Sequence, residues 1–244
     1  DATKGWIPLE DDVTALEPAA PPTQKGFFAF GLDNSGAYGT VTSVKNLLAS
    51  NGVIATDTTG VGTARQALAA ASYGGDKAII AYGGGVVNTR NLVNNSGVIA
   101  ADATGAGTAR AFLAAAGYGT DKAIFGYGGS HVSITNLCNN LGVIGADVSG
   151  VGSARSGLSA ATYGGDKAIF GFGTTGGGTM VSTTNLVNNS GVVAANTTGV
   201  GTARRQPAAS SYGGDKAAVA YGQIPTDSTK VSMKNLVSNT GVIS

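Results

Sequence analysis

The sequence predicts an all-β fold made of five copies of one unit, and both repetition and turn residues support this prediction. Three phrases recur along the 244 residues, and they are first complete at 45–54, 62–65 and 76–83. Glycine- and asparagine-rich turns divide each copy into short segments that are typical of strands rather than helices. Self-similarity of this kind indicates a repeat architecture in which neighbouring units stack on one another.

The spacing between these phrases is fixed everywhere except at one connector in each repeat. The recurrent Asn precedes the recurrent Arg by 19 residues in all four intervals, as from Asn46 to Arg65, and the Arg precedes the recurrent Lys by 12. The distance from that Lys to the next recurrent Asn instead runs 21, 14, 14, 18 and 19 along the chain. Repeat proteins keep the segments that stack and vary their loops, so this connector predicts a binding face.

The second repeat shows the predicted order of strands. Strand A is expected over 65–73, and Gly74-Gly75 then forms a hairpin turn that requires positive φ. Strand B is expected over 77–82 and strand C over 87–93. An Asn-Asn-Ser-Gly turn leads into strand D, which begins at Val98. The five repeats begin near residues 13, 65, 110, 155 and 204.

Strand B carries apolar or small residues on both faces, which predicts a sheet covered by protein on both sides. Four-stranded antiparallel sheets stacked around a central axis meet that requirement. The small residues at 113–117 in strand A then belong nearest the crowded axis. We therefore predict a five-bladed β-propeller of four-stranded antiparallel blades over residues 25–244.

Recurrent arginines and paired glycines resemble those of a known repeat. Two of the second strands end in Gly-Gly, at 83–84 and 128–129, and an Arg leads four of the first strands, namely Arg65, Arg110, Arg155 and Arg204. In these features the chain resembles the kelch repeat. The phrases Asp-Lys-Ala-Ile-Phe-Gly-Tyr-Gly and Thr-Thr-Gly-Val-Gly-Thr-Ala-Arg look like those of kelch-like proteins of tailed phages. The resemblance implies a propeller fold and a place in the virion, an extracellular particle.

Residues 1–24 differ from the rest of the chain and are expected to form a separate arm. They carry five acidic residues against Lys4, a net charge of −4, which leaves +5 on the remainder of a chain with net charge +1. Aligning Lys25 with Lys77 places a degenerate strand A near residues 13–20. Two roles remain open: the arm pairs with the last blade and closes the ring, or it contacts a neighbouring subunit through its acidic charge.

Composition excludes several classes of function. A net charge of +1 without a run of Lys or Arg argues against a nucleic-acid partner. No apolar run approaches the roughly 20 residues that cross a bilayer, so we expect no membrane insertion. One His, one Cys and two Glu leave too few groups for repeated metal or acid–base sites. We expect no catalytic, metal-binding or cofactor-binding residues, and a protein that is not an enzyme.

Other recurrent features are expected to be structural. Cys138 occupies a slot that Leu or Val fills in the other four repeats, which predicts a buried apolar role. Asp57, Asp102 and Asp147 share another slot and are expected to cap turns. The recurrent Arg is expected to bond carbonyl groups of the neighbouring blade.

The connectors between strands B and C carry the candidate binding residues. These are Asp33, Asn34, Tyr38, Asn88, His131, Met180, Asp227 and Lys230. Such a mixed polar and aromatic set suits contact with a protein or a sugar. We expect a non-enzymatic structural or adhesive component of a phage virion, in a fibre, tail or capsid decoration, that contacts other virion proteins or a host-surface receptor. The alternative is a lectin-like module that binds host-surface glycans, although the connectors lack equivalent residues in every blade.

Overall fold

The secondary structure consists of strands joined by turns. A computed structural model describes residues 26–33, 39–225 and 229–244, and within these ranges it contains 17 strands and no helix. The strands of the first two repeats are β1 (Gly26–Asp33), β2 (Thr40–Leu48), β3 (Ala69–Tyr73), β4 (Lys77–Ala81), β5 (Thr89–Val93) and β6 (Ala103–Thr104). Those of the third and fourth are β7 (Ala114–Tyr118), β8 (Lys122–Gly126), β9 (Thr135–Cys138), β10 (Arg155–Ser156), β11 (Ser159–Tyr163), β12 (Lys167–Gly171), β13 (Thr174–Thr175) and β14 (Thr184–Val187). The fifth contains β15 (Ala208–Tyr212), β16 (Lys216–Ala220) and β17 (Lys234–Val237).

The strands form several small antiparallel sheets, one main sheet for each repeat. Sequential strands are neighbours, in the orders β1-β2, β3-β4-β5-β6, β7-β8-β9, β11-β12-β14 and β15-β16-β17. A separate short pair joins β10 to β13. The all-β prediction is confirmed, and so is the order of strands A, B and C. The arm over residues 1–24, with its predicted strand A, lies outside the described residues.

Two of the predicted strands are shorter than expected. Strand A begins at Ala69 rather than at Arg65, because Ala67 has a φ of +52° that interrupts extended backbone. Strand D is reduced mostly to isolated bridges such as Val93 with Ile99. The Gly74-Gly75 turn has the positive φ values expected, 60° and 81°. The reduced strand D leaves most repeats as three-stranded sheets with an irregular outer edge.

The core lies between repeats rather than within any one of them. One apolar cluster joins Ile79 and Tyr82 of repeat 2 to Phe125 and Cys138 of repeat 3, and similar clusters join the next pairs. Strand B is buried on both faces, as the sequence predicts. The sheets of repeats 2, 3 and 4 are therefore each covered by the sheet before and the sheet after.

The two ends of the series differ from its interior. Tyr82 packs on Phe125, and Tyr127 packs on Phe170 in the same way, with ring centres 5.5 and 5.2 Å apart. The residue in the Phe slot of repeat 1 is Phe28, which is 58% exposed. In the Tyr slot of repeat 5 stands Tyr221, which is 61% exposed, whereas all four interior rings are fully buried.

Candidate functional site

Each recurrent arginine lies over an aromatic ring of the preceding repeat. The distances from the guanidinium carbon to the ring centre are 4.5 Å for Arg65 over Phe30, 4.4 Å for Arg110 over Tyr82, 4.3 Å for Arg155 over Tyr127 and 3.9 Å for Arg204 over Phe172. All four arginines are at most 2% exposed. A desolvated guanidinium group over an aromatic face makes an attractive contact. We call this contact between the recurrent Arg and the preceding ring the joint, and it occurs at four successive interfaces between repeats.

The hydrogen bonds of the arginine correct one expectation from the sequence. Arg65 donates from Nε to the carbonyl of Tyr82 at 2.9 Å, from Nη1 to the carbonyl of Thr63 at 3.2 Å, and from Nη2 to Oδ1 of Asn91 at 2.6 Å. These acceptors belong to its own repeat and to the linker before it, not to the neighbouring blade. The prediction failed because the chain returns strands B and C beside the Arg, while the preceding repeat supplies an aromatic ring.

The recurrent aspartate is also placed differently from the expected turn cap. Oδ2 of Asp102 accepts from the backbone N–H of Thr63 at 2.9 Å and from its hydroxyl at 2.6 Å, while Oδ1 accepts from Asn91 at 2.9 Å. Asp147 makes the equivalent bonds with Thr108. The carboxylate therefore links positions 39 residues apart and holds the linker against its repeat.

Hydrogen bonding decides the ionisation of this aspartate. Burial alone would raise the pKa of Asp102, but hydrogen bonds from the Thr63 hydroxyl, the Asn91 amide and the Thr63 N–H outweigh it, so the pKa lies below its ordinary value. The balance is the same for Asp147. Burial lowers the pKa of Arg65, and Asp102, 3.8 Å from Nη1, opposes that shift. Asp102, Thr63, Asn91 and Arg65 thus form a network around an ionised carboxylate, which we call the clamp.

Backbone hydrogen bonds link the repeats at both ends of the strands. At the connector end, the N–H after each strand B donates to the carbonyl of the next recurrent Arg, as Gly83 does to Arg110 at 3.0 Å. At the opposite end, Gly74 donates to the carbonyl of Asp121 at 2.7 Å, and the next two repeats repeat this bond. Side chains and backbone thus fix successive repeats in one relative arrangement.

Two of the candidate binding residues are held by local bonds. Asp33 lies at the exposed end of β1, where its Oδ1 accepts from the N–H of Thr40 at 3.0 Å. The amide of Asn88 donates to the carbonyl of Gly105 at 3.0 Å, so it supports the connector instead of projecting from it. Asn34, Tyr38 and Asp227 lie outside the described residues.

The other three candidates lie in different connectors. Met180 is partly buried and forms a bridge with Thr174, while Lys230 is exposed and forms a bridge with Gln223. His131 is partly buried and has a φ of +61°. Of the described candidates, only His131 contributes to the cleft described next. The described candidates therefore lie in separate connectors, and the binding face that the sequence predicts stays a prediction.

A cleft of about 210 Å³ opens beside His131 where repeats 3, 4 and 5 meet. Its walls include Phe112, His131, Ser156, Thr174, Arg205 and Gln206. Phe112, Arg205 and Gln206 are not among the predicted site residues, because the sequence pattern places them inside strand A. The signal was present: the two positions after the recurrent Arg differ in every repeat, whereas the Arg itself does not.

Comparison with known proteins adds no assignment. No protein-family model matches the chain, and no curated protein matches it. The described residues contain no helix long and apolar enough to span a membrane. In the same ranges, no three His, Cys, Asp or Glu side chains come together as a possible metal site.

Proposed function

We propose that the chain is a five-bladed, kelch-like β-propeller that serves as a non-enzymatic structural or adhesive component of a phage virion. The observation that carries this proposal is the joint between repeats, which recurs four times with the same Arg, aromatic ring and backbone bonds. A joint that recurs with similar contacts favours a similar rotation from each repeat to the next. Five rotations of about 72° without a rise along the axis would close a ring.

The two ends of the series have complementary residues, which supports closure. Phe28 occupies the slot of Phe125 and Phe170, and Tyr221 occupies the slot of Tyr82 and Tyr127. Contact between Phe28 and Tyr221 would form a further pair of the same kind and cover two large exposed apolar side chains. Residues 1–24 are proposed to complete the closure, and contact with a neighbouring subunit is the alternative role for them.

The connectors between strands B and C are suited to display. They lie outside the joints, so their length varies from repeat to repeat without disturbing the packed core. A rigid support with adaptable loops fits attachment to other virion proteins or to a host-surface receptor. The phage context rests on the resemblance of the repeated phrases to kelch-like proteins of tailed phages.

A glycan-binding role is the second candidate, and the cleft beside His131 is the observation that favours it. Its wall residues Phe112, Arg205 and Gln206 differ from those at the equivalent positions of other repeats, which distinguishes the cleft from the repeated sites of a lectin. Binding at one cleft is compatible with an adhesive virion component, so the two roles share the same face of the molecule.

Immunogold electron microscopy of gradient-purified phage particles tests the virion role. Antibodies raised against the purified chain are expected to label a fibre, the tail or the capsid at regular positions. Particles stripped of surface contaminants by high salt should retain the label. Loss of the protein from particles in that wash, with no labelled structure remaining, would contradict the proposal.

A further inference from the structure

Residues that depart from the repeat pattern meet at one end of the strands, beside the connectors. The position after the recurrent Arg holds Gln66, Ala111, Ser156 and Arg205, and the next position holds Ala67, Phe112, Gly157 and Gln206. The recurrent Arg immediately before them is the same in repeats 2 to 5. Variation beside an unchanged Arg indicates that the joint does not determine which side chains stand at these two positions.

Backbone bonds bring these variable positions side by side. The N–H of Phe112 donates to the carbonyl of Ala67 at 2.9 Å, Gly157 donates to Phe112 at 2.9 Å, and Gln206 donates to Gly157 at 2.7 Å. All four residues have a φ between 52° and 60°. The ladder sets a fixed spacing between side chains from successive repeats, so Phe112, Arg205 and Gln206 line the same cleft.

Phe112 is an unusual residue for its position. Its φ of +55° lies in the left-handed region, where a bulky side chain is strained, and yet the side chain is 52% exposed. Ala67 and Gly157 occupy the equivalent positions, so the backbone has no need of an aromatic ring there. An exposed ring on strained backbone is a feature that ligand contact accounts for and core packing does not.

Arg205 supplies a positive charge to the cleft. Nε of Arg205 donates to Oε1 of Gln223 at 2.6 Å, which orients the guanidinium group. The terminal amino groups of Arg205 make no hydrogen bond or ion pair with any described residue. The free edge of the guanidinium group is a planar pair of donors of the kind that binds a carboxylate through two hydrogen bonds.

We propose that this cleft binds one carboxylate-bearing sugar unit of the uronic-acid type. The carboxylate pairs with the guanidinium group of Arg205, a sugar hydroxyl bonds to His131, and the apolar face of the ring covers Phe112. The volume of about 210 Å³ is smaller than the ~300 Å³ at which pockets for drug-sized ligands begin, and it suits a single sugar unit. The inference rests on the proposed adhesive role only for the source of the sugar, a surface glycan.

Isothermal titration with sodium D-glucuronate tests the proposal, with D-glucose and sodium acetate as probes that each lack one half of the ligand. We expect glucuronate to bind and to bind at least about tenfold more tightly than either probe, since a charge-assisted bond and the aromatic contact each contribute. No heat with glucuronate, or equal affinity for acetate, would overturn the assignment.

Substitution with residues that occur at the equivalent positions of another repeat is expected to keep the fold intact. Arg205→Gln and Phe112→Ala install the residues that Gln66 and Ala67 already provide at the equivalent positions, and each is expected to weaken glucuronate binding at least about tenfold. Lys77→Gln removes one positive charge at the opposite end of the strands and is expected to leave binding unchanged. Equal loss in all three variants, or no loss with Arg205→Gln, would contradict the site. This outcome is separate from the particle labelling, which tests the virion role without reference to sugar.

Discussion

The guanidinium carbon of Arg110 lies 4.4 Å from the centre of the Tyr82 ring, and this contact joins repeat 3 to repeat 2. The same Arg donates from Nε to the carbonyl of Tyr127 at 2.8 Å and from Nη1 to the carbonyl of Thr108 at 3.0 Å. Tyr82 also packs against Phe125, so residues of repeat 3 contact it both from the segment before strand A and from strand B. One buried cation thus organises both sides of the interface.

Replacing Arg110 with Met keeps an apolar chain of similar length but removes the cation and all its hydrogen bonds. We expect the free energy of unfolding to fall by about 3 kcal/mol, because buried carbonyl groups lose their donors. Urea denaturation followed by circular dichroism measures the change. Arg205 directly follows Arg204, the recurrent Arg of repeat 5. Arg205→Gln is the control and should change the free energy of unfolding by less than about 0.5 kcal/mol. Similar losses in the two variants would show that the joint does not depend on the buried Arg.

The linker before each recurrent Arg requires glycine at a close approach. Gly107 has a φ of +86°, and a Cβ there would collide with Asn136 and Asp147, the residues of the clamp. We expect Gly107→Ala to destabilise the protein by about 2 kcal/mol or more through strain and displacement of the clamp. Gly177→Ala is the matched control, since Gly177 has ordinary φ and open space around it. Thermal unfolding should separate the two variants; equal melting temperatures would contradict the clamp.

The lowered pKa of Asp102 predicts a stability that depends on acid. A carboxylate whose pKa is lower in the folded state stabilises the folded protein fully at pH values above its unfolded-state pKa of about 3.9. This stabilisation is lost as the pH falls through the folded-state pKa. Asp102→Asn should therefore be less stable than the native protein at pH 7, and the difference should shrink toward pH 3. Urea midpoints at both pH values measure this.

Repeat 4 offers the reverse substitution, because Asn196 occupies the same slot and accepts from the N–H of Ser153 at 3.1 Å. Asn196→Asp should add a contribution that is present at neutral pH and lost in acid. A constant difference from the native protein at every pH, in both variants, would mean that the carboxylate charge plays no part in the clamp.

Burial makes Cys138 a packing residue with a poorly reactive thiol. Desolvation raises the pKa of Cys138 from 9.0 to about 11. The buried neutral thiol therefore stabilises the folded protein fully below pH 9, and this stabilisation is lost as the pH rises toward 11. We expect reaction with a disulfide reagent at pH 8 to be at least about a hundredfold slower than in urea. Cys138→Val should change stability by less than about 1 kcal/mol, since Val fills this slot in three other repeats. Rapid labelling of the folded protein would contradict the burial.

Much of the fold can be predicted from the sequence because the same local pattern is written several times. The turns at Gly74-Gly75 and the doubly buried strand B follow from residue type and spacing. The late start of strand A at Ala69 does not, because the left-handed φ before it falls on Ala67, a residue type that normally avoids that region.

The candidate site was harder to predict for a physical reason. The partners of Asp102 and Arg65 are determined by how the chain returns across 26 to 39 residues, and spacing alone does not reveal which surface receives them. The cleft combines Phe112, Thr174 and Arg205 from three repeats, so no single repeat contains its pattern. Comparing equivalent positions between repeats identifies such residues where they differ.

Distances between equivalent positions test directly whether the five repeats surround one axis. Ser50, Asn95, Asn140 and Asn239 are exposed residues at the same turn of repeats 1, 2, 3 and 5. Nitroxide labels are attached to cysteines introduced at these positions in a Cys138→Val background. Pulsed electron–electron double resonance then measures the label separation in three pairs, 50 with 95, 50 with 140 and 50 with 239. In a five-fold ring, non-adjacent positions lie about 1.6 times farther apart than adjacent ones.

In a closed ring, we expect the separation between labels at 50 and 239 to equal that between 50 and 95 and to be shorter than that between 50 and 140. A separation between 50 and 239 that exceeds the one between 50 and 140 would show an open arc or a rod and would contradict the ring.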